Sequence, residues 1–225
     1  MTKTIPTKRG RVAPTILTDA EVQRARRYLA RRDPKLGALM KCHGKCTITA
    51  TRTRHAFHAL VQAILSQQLS SKAADTIHKR VVALAGGLDQ LTPERMLALD
   101  PAALRAAGVS HPKISYFRDL SARILDGRLD LHALETAHDA EVITAITAVK
   151  GLGVWSAEVF LLFSLRRPDV LPAHDLGLIV AAQRMKRLKE RPSPKQLREI
   201  AEPWRPYRSY ASRMLWHYYH ATPAV

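Results

Sequence analysis

The chain has little cysteine and no long apolar segment. Its 225 residues include two cysteines, Cys42 and Cys46, so a disulfide framework is excluded. No apolar run reaches the length of a membrane span, and no apolar core of a secretory signal is present. These absences predict a cytoplasmic protein with no membrane partner.

The two cysteines lie close together, with a histidine between them. Cys42, His43 and Cys46 form the hexapeptide KCHGKC, and all three side chains are of types that bind zinc. The Cys-x-x-x-Cys spacing is loose for a zinc site, however, and no second cysteine pair follows. We therefore predict no metal site in this segment.

Acidic residues are also scarce. Asp and Glu number 19 against 36 Lys and Arg, which gives a net charge of +17. An excess of this size favours a polyanionic partner, and nucleic acid over an acidic membrane, although it also fits a solvated basic surface. Residues 1–17 are predicted as a flexible basic arm, because Lys3, Lys8, Arg9 and Arg11 occur there without an acidic residue.

Apolar residues recur at helical spacing through most of the chain, and no segment alternates as a strand would. The sequence therefore predicts an all-α fold. Helix starts are marked by a capping box at Thr18 and by prolines at the first helical position, as at Pro93, Pro101 and Pro194. Residues 36–53 lack a helical repeat of apolar residues and are predicted as a connecting loop with a short strand pair.

Two glycines separate two helical segments in the second half of the chain. Gly151 and Gly153 lie between apolar positions that include Val142 and Ile146 on one side and the run from Val154 to Leu165 on the other. Glycines permit positive φ and a close approach of another backbone. The amides of such a turn and of the helix that follows can bind a phosphate oxygen, although many Gly-x-Gly turns only reverse the chain.

A single carboxylate, Asp175, follows Gly153 by 22 residues. The hairpin pattern, Ile146-x-x-Val149-x-Gly151-x-Gly153-x-x-Ser156-Ala157, together with this aspartate resembles the helix-hairpin-helix DNA glycosylase superfamily. Within it, the sequence is most similar to the 3-methyladenine DNA glycosylase II branch. Residues 202–211 resemble the C-terminal signature of the same branch, and the likeness extends over residues 33–219. Two cysteines are too few for the four-cysteine iron–sulfur cluster that some relatives carry.

The resemblance implies two helical lobes with a cleft between them that holds a flipped base. One lobe is predicted from residues 18–62 and 177–225. The other is predicted from residues 63–176 and contains the helix-hairpin-helix at about 139–165. The implied partner is double-stranded DNA with damaged bases, bound by a monomer.

Three groups of DNA contacts follow from the resemblance. The segment Gln68-Leu69-Ser70 is implied to enter the minor groove, with either Gln68 or Leu69 as the wedge that fills the gap left by a flipped base. Without the resemblance, this segment is an ordinary turn between helices. The other implied DNA-binding residues are Lys150, Gly151, Gly153, Ser156 and Arg208. No cofactor is required, although the carbonyls of Val149 and Gly151 are implied to hold a monovalent cation.

Asp175 is the predicted catalytic residue. Cleavage of an N-glycosidic bond develops positive charge on the sugar, which a nearby carboxylate stabilises while it orients or deprotonates the attacking water. Two alternatives remain at this point. Asp175 can be an N-cap of the following helix, since aspartate is a favoured cap, and its neighbour His174 is a competing base.

The aromatic residues predict the base pocket. Trp216, Tyr210 and Trp155, with Tyr207 as a further candidate, supply faces on which a cationic alkylated base of the 3-methyladenine or 7-methylguanine type would stack, although aromatics at helical spacing are often core. Neutral lesions such as ethenoadenine and hypoxanthine are an alternative, and a non-catalytic helix-hairpin-helix DNA-binding protein is another. Superfamily members that also cut the strand carry a lysine at the position of Trp155, so the resemblance implies base removal alone.

Overall fold

A computed structural model describes residues 18–42 and 56–221. Within these ranges the secondary structure is helical and contains no strand, which confirms the all-α prediction. The α-helices are α1 (Asp19–Arg32), α2 (Pro34–Cys42), α3 (Ala56–Ser66), α4 (Ser71–Ala85), α5 (Pro93–Ala98), α6 (Pro101–Ala106), α7 (His111–Leu125), α8 (Asp139–Thr147), α9 (Val154–Phe163), α10 (Leu176–Lys186), α11 (Pro194–Ala201) and α12 (Arg208–Ala221). Short 3-10 turns cover Leu88–Gln90, Ala133–Glu135 and Glu202–Trp204.

The helix starts follow the capping signals in the sequence. Thr18 and Glu21 form the predicted capping box of α1. Thr92, Asp100 and Ser193 each cap a helix with a proline in its first turn, where the missing amide hydrogen is not needed. These local signals define the boundaries of four helices.

The prediction of a loop across residues 36–53 is wrong in its first part. Residues 34–42 form α2, whose amide at Leu36 is capped by the side chain of Asp33. Leu36, Leu39 and Met40 are buried, so this helix does present an apolar face, although it is too short to give a clear repeat. Residues 43–53 of that segment lie outside the described residues, as does the predicted basic arm, residues 1–17. His43 and Cys46 of the KCHGKC motif also lie outside them. Cys42 is exposed and unpaired by a disulfide.

The extensive helix contacts fall into two sets. One set joins α1, α2, α10, α11 and α12, and so combines both ends of the described chain. The other joins α3 to α9. The predicted boundary at residues 62 and 63 falls inside α3, whose extensive contacts are with α4, α7 and α9, so this helix packs mainly with the central set. The division into two lobes with a cleft stays a prediction.

A buried carboxylate joins the first helices to the last. Asp33 accepts hydrogen bonds from Trp204 Nε1 at 2.8 Å and Lys186 Nζ at 2.6 Å, besides the amide of Leu36. Burial alone would raise the pKa of Asp33, but these donors and the Lys186 charge hold it below its ordinary value. The contact fixes the C-terminal end of α10, whose other end carries Asp175.

Helix α9 is largely apolar, and its extensive contacts are with α8 and α3. Ala157, Phe160, Leu161 and Leu162 are buried against neighbouring helices. None of the helices in the described part of the chain is long and apolar enough to cross a membrane.

Candidate functional site

The carboxylate of Asp175 lies at the N-terminus of α10, where three N–H groups converge on it. Its Oδ1 accepts from the Leu178 amide at 2.8 Å, which makes Asp175 the N-cap of this helix. The indole nitrogen of Trp216 donates to the same oxygen at 2.8 Å. The indole of Trp155 donates to Oδ2 at 2.9 Å. The structure thus joins the predicted catalytic residue to two of the predicted pocket aromatics.

These contacts leave one part of the carboxylate available. An ionised carboxylate offers about four acceptor sites, two on each oxygen. Oδ1 of Asp175 uses two of them, and Oδ2 uses one, for Trp155. The remaining site on Oδ2 can accept from a water or face a positive charge. The helix cap and this further role are compatible, because they use different oxygens.

An aromatic stack lies beside the carboxylate. The Trp216 ring stacks on Phe163, with centroids 5.7 Å apart and planes at 26°. The guanidinium of Arg213 lies 4.5 Å from the centre of the Phe163 ring. Gly177 permits this packing, since a Cβ there would lie 3.1 Å from Asp175 Oδ1 and 3.4 Å from the Trp216 ring.

Two of the predicted pocket aromatics lie elsewhere. Tyr210 is 1% exposed in the hydrophobic core, so its ring presents no face to a base, and its assignment to the pocket is corrected. Tyr207 packs edge-on against Tyr28 of α1 at 5.5 Å. Aromatic residues at helical spacing occur in a hydrophobic core as well as in a pocket, so the sequence pattern could not distinguish the two positions.

Arg208 is committed to an ion pair rather than presented to DNA. Its guanidinium donates to both oxygens of Asp169, at 2.7 and 3.0 Å, and its side chain is 14% exposed. The next residue, Ser209, accepts from the Val170 amide at 2.9 Å. The C-terminal signature therefore holds the segment that leads to Asp175, and the DNA-binding assignment of Arg208 is corrected.

The helix-hairpin-helix is present at the predicted residues. Helices α8 and α9 flank the turn, and Gly151 has φ of +80°, a left-handed conformation that favours glycine. The ring of Tyr116 from α7 lies directly against Gly151, where a Cβ would overlap it. The side chain of Asp119, also on α7, accepts from the Lys150 amide at 2.8 Å.

The exposed side of this hairpin carries Lys150, Gly151 and Gly153. Gly153 precedes α9, and the first amides of a helix have no carbonyl partner within it, so they are available to an anion. Ser156 is 2% exposed. The residue is therefore enclosed as placed, and its contact with a DNA phosphate stays a prediction.

The carbonyls predicted to hold a monovalent cation already accept hydrogen bonds. The Gly151 carbonyl accepts from Gln67 Nε2 at 2.7 Å, and the Val149 carbonyl accepts from the Leu152 amide at 3.1 Å. A carbonyl oxygen has two lone pairs, so each of these oxygens keeps one acceptor position, and the monovalent cation stays a prediction. The described residues also contain no group of three His, Cys, Asp or Glu side chains that could bind a metal ion.

The loop between α3 and α4 is exposed, as a wedge requires. Gln68 has φ of +56°, an uncommon conformation for a residue with a side chain, and Leu69 is 40% exposed. Ser70 caps α4 by accepting from the Ala73 amide at 3.3 Å. Both wedge candidates therefore extend from an ordered turn, and the choice between them stays open.

A second carboxyl lies near Asp175 and was missed as a primary site residue. Burial raises the pKa of Glu158 to about 7, against the opposing effect of the Arg198 charge and with a further increase from Asp175. Its Oε2 is buried and has no hydrogen-bond partner among the described residues. Glu158 is therefore largely protonated only below neutral pH. His174, the competing base, is exposed beside Asp175.

Glu158 should make the stability of the protein depend on pH. A folded-state pKa above the ordinary 4.5 means that the folded chain binds this proton more tightly, so the free energy of unfolding falls as pH rises from about 4.5 to about 7. Replacing Glu158 with Gln, which has the shape of the protonated acid, should remove that loss, on the order of 2 kcal/mol at pH 8, because solvent screens a half-buried group, and near zero at pH 4. Urea denaturation at both pH values measures it.

The exposed Glu190 is a control for this substitution. Glu190→Gln should leave the pH dependence of the wild-type chain in place. Equal stability of the Glu158→Gln and wild-type chains at pH 8 would contradict the assignment of the raised pKa to Glu158.

Several site residues carried no recognisable signal in the sequence. Phe163 was one apolar residue in a run of them, and Gly177 was one glycine in a helix. Gln67 lies next to the predicted wedge, but its bond to a hairpin 84 residues away leaves no trace in spacing. Lys113, Tyr116 and Asp119 recur at i, i+3 and i+6, a face whose polar character could have indicated a contact with another element.

Comparison with known proteins agrees with this geometry. Residues 61–206 match the family described as HhH-GPD superfamily base excision DNA repair protein. The chain is 30% identical over 204 residues to DNA-3-methyladenine glycosylase 1 of Schizosaccharomyces pombe, covering 90% of this chain and 87% of that protein.

Two solved structures are similar over most of their length. The DNA-3-methyladenine glycosidase of Bacillus halodurans has a TM-score of 0.73 at 37% identity, covering 85% of this chain and 87% of that one. The S. pombe 3-methyladenine DNA glycosylase Mag1 in complex with abasic DNA has a TM-score of 0.77 at 29% identity, covering 86% and 95%. The hairpin, the aspartate beyond it and these similarities lead to one conclusion: the chain belongs to the HhH-GPD superfamily of base excision DNA repair proteins.

Proposed function

We propose that this protein is a DNA glycosylase that removes alkylated bases from double-stranded DNA in base excision repair. The observation that carries the proposal is the Asp175 carboxylate, held by two tryptophan indoles and a helix N-terminus beside a stacked aromatic pair. The proteins to which the chain is similar are named as 3-methyladenine glycosylases, which supports the same substrate class.

The reaction requires little of the protein beyond position and charge. As the bond between base and sugar lengthens, positive charge develops on the sugar, and a carboxylate at that point stabilises it. The free acceptor site on Asp175 Oδ2 can take a proton from the attacking water or orient it. The two indole donors keep the carboxylate in one orientation throughout, so little reorganisation is needed at the transition state.

The aromatic stack supports a cationic base as the substrate. Alkylation of a ring nitrogen makes a purine positive, which improves the leaving group and favours contact with an electron-rich ring face. One face of Trp216 packs on Phe163, so the opposite face is the candidate surface for the base. Neutral lesions such as ethenoadenine and hypoxanthine can also stack, which makes them the comparison for specificity.

A panel of duplexes tests the substrate class. Each carries one lesion: 3-methyladenine, 7-methylguanine, 1-methyladenine, ethenoadenine, hypoxanthine or uracil. We expect excision to be fastest for the cationic 3-methyladenine and 7-methylguanine under single-turnover conditions. Faster excision of hypoxanthine or ethenoadenine than of either methylated purine would show that charge on the base is not the basis of selection.

We also propose that the enzyme removes the base and leaves the strand intact. Strand cleavage requires an amine that attacks the sugar and forms a Schiff base. The position implied for that amine is occupied by Trp155, whose indole is hydrogen-bonded to Asp175. The exposed Lys150 lies on the other side of the turn, next to the exposed glycines.

Borohydride added during the reaction checks this point. We expect no trapped protein–DNA adduct and an abasic strand that breaks only after heat or alkali. An adduct that forms with the wild-type chain and disappears on Lys150→Met would overturn the assignment of a base-removal-only enzyme.

A non-catalytic DNA-binding protein is the second candidate. The exposed hairpin and the charge of +17 suit it equally well. In a pure binder, however, Asp175 would serve only as the cap of α10 and the acceptor of two indoles, and its charge would repel DNA phosphates. All the proposed groups come from one chain, so we propose that the enzyme acts as a monomer. We further propose that it acts on chromosomal DNA in the cytoplasm.

A further inference from the structure

One face of α7 contacts both loops that are proposed to touch DNA. Lys113 Nζ donates to the carbonyls of Leu65 and Gln67, each at 2.8 Å, at the end of α3 where the wedge loop begins. Three residues later, the Tyr116 ring lies against Gly151 of the hairpin. After three more, the side chain of Asp119 accepts from the hairpin amide of residue 150 at 2.8 Å.

The wedge loop and the hairpin are also joined directly. Gln67 Nε2 donates to the Gly151 carbonyl at 2.7 Å. The same residue gives its own carbonyl to Lys113. Gln67 is thus bound on one side to α7 and on the other to the hairpin, and it immediately precedes the exposed wedge candidates Gln68 and Leu69.

We propose that Gln67 and Lys113 are positioning residues, which hold the wedge loop at a fixed offset from the hairpin so that phosphate binding by the hairpin places the wedge at the lesion. Tyr116 and Asp119 contact the hairpin in turn. We call the group formed by Gln67, Lys113, Tyr116 and Asp119 the α7 bracket. The inference rests on the proposed function, in which the duplex is opened at a damaged base.

The physical reason is preorganisation. Opening a duplex costs a few kcal/mol in unstacking and unpairing, which the inserted side chain must offset. A loop that moved independently of the hairpin would also lose conformational freedom each time it entered the groove. A loop already fixed by Gln67 and Lys113 has lost that freedom on folding. The bracket therefore favours binding to a lesion over binding to intact duplex.

A purely structural role makes a different prediction. The Gln67 hydrogen bond lies at an exposed position, so it contributes little to the stability of the fold. If it only supported the hairpin, its loss would weaken binding to all DNA alike, because hairpin contacts are to the backbone. If it positions the wedge, its loss should weaken binding to damaged DNA selectively.

The test compares Gln67→Met with Gln62→Met. Gln62 lies on α3, five residues before Gln67, and donates its side-chain amide to Asp75 at 3.1 Å rather than to the hairpin, which makes it a matched control. Fluorescence anisotropy measures the Kd for two duplexes that differ only by a tetrahydrofuran abasic-site analogue. We expect Gln67→Met to lower the ratio of the two affinities about tenfold while the affinity for intact duplex changes less than about twofold. Gln62→Met should leave both unchanged.

Lys113 supplies an independent arm. Lys113→Met should lower the same ratio, and Lys113→Arg, which can still donate to two carbonyls, should restore most of it. An unchanged ratio in Gln67→Met, or an equal loss of affinity for both duplexes, would overturn the positioning role, as would a wild-type chain that does not distinguish the duplexes. A wild-type chain that distinguishes them but excises no base would count against the proposed function alone.

Discussion

Replacing Asp175 with Asn lowers the rate of base excision by about two or more orders of magnitude, the effect typical of losing one electrostatic stabiliser of a transition state. The substitution removes the negative charge that faces the sugar while nearly preserving the shape. Binding to damaged duplex should persist or tighten, because a charge that repels phosphates is lost. Single-turnover excision and anisotropy measure the two effects separately.

The geometry adds a smaller cost to this variant. One orientation of the new side-chain amide keeps an oxygen for the Leu178 amide and Trp216, but it turns an NH2 group toward the indole N–H of Trp155. Two donors then face each other, which should cost about 1 to 2 kcal/mol of stability. His174→Gln, at the exposed neighbour, is the control and should excise normally. Near-normal excision by Asp175→Asn would move the catalyst elsewhere, with His174 and Glu158 as the next candidates.

The second large effect concerns the two hairpin glycines, which should respond differently to valine. A side chain at Gly151 would meet a φ of +80° and overlap the Tyr116 ring, so Gly151→Val should destabilise the fold and displace the hairpin. Gly153 has an ordinary φ of −105° and no atom within 4 Å of a Cβ. Gly153→Val should therefore cost less than about 1 kcal/mol of stability.

Both variants should nevertheless bind DNA weakly. A valine at Gly153 would keep a phosphate away from the amides of α9, and losing a hydrogen bond to a charged group weakens binding about tenfold to a hundredfold. The loss should be similar for every DNA sequence. Gly127→Val is the control, because it imposes similar backbone strain at φ of +77° away from the hairpin. Unchanged affinity in Gly153→Val would reduce the hairpin to a structural turn.

Sequence alone predicted the features that depend on neighbouring residues. The caps at Thr92, Asp100 and Ser193 and the hairpin between α8 and α9 are set by local chemistry, and all four are confirmed. The aspartate that caps α10 was likewise predictable as a cap. Helix α2 was missed because nine residues hold too few turns for a repeat to be recognised.

The features that sequence did not predict depend on distant partners. The family resemblance implies a DNA contact for Arg208, but its guanidinium is paired with Asp169, 39 residues earlier. Tyr210 was assigned to the pocket because it is aromatic, and tertiary packing encloses it. The indole contacts of Asp175 and the bond from Gln67 to Gly151 join residues between 20 and 84 positions apart. The spacing of residues along the chain does not indicate which distant residues form such pairs.

The most direct test of the central claim is the release of free base from methylated duplex DNA, followed by liquid chromatography and mass spectrometry. The wild-type chain should release 3-methyladenine and 7-methylguanine and leave an unbroken strand with abasic sites. The Asp175→Asn chain should release neither base at a rate comparable with that of the wild-type chain. Methylated DNA that is bound tightly but yields no free base would show that the protein is a binder rather than a glycosylase.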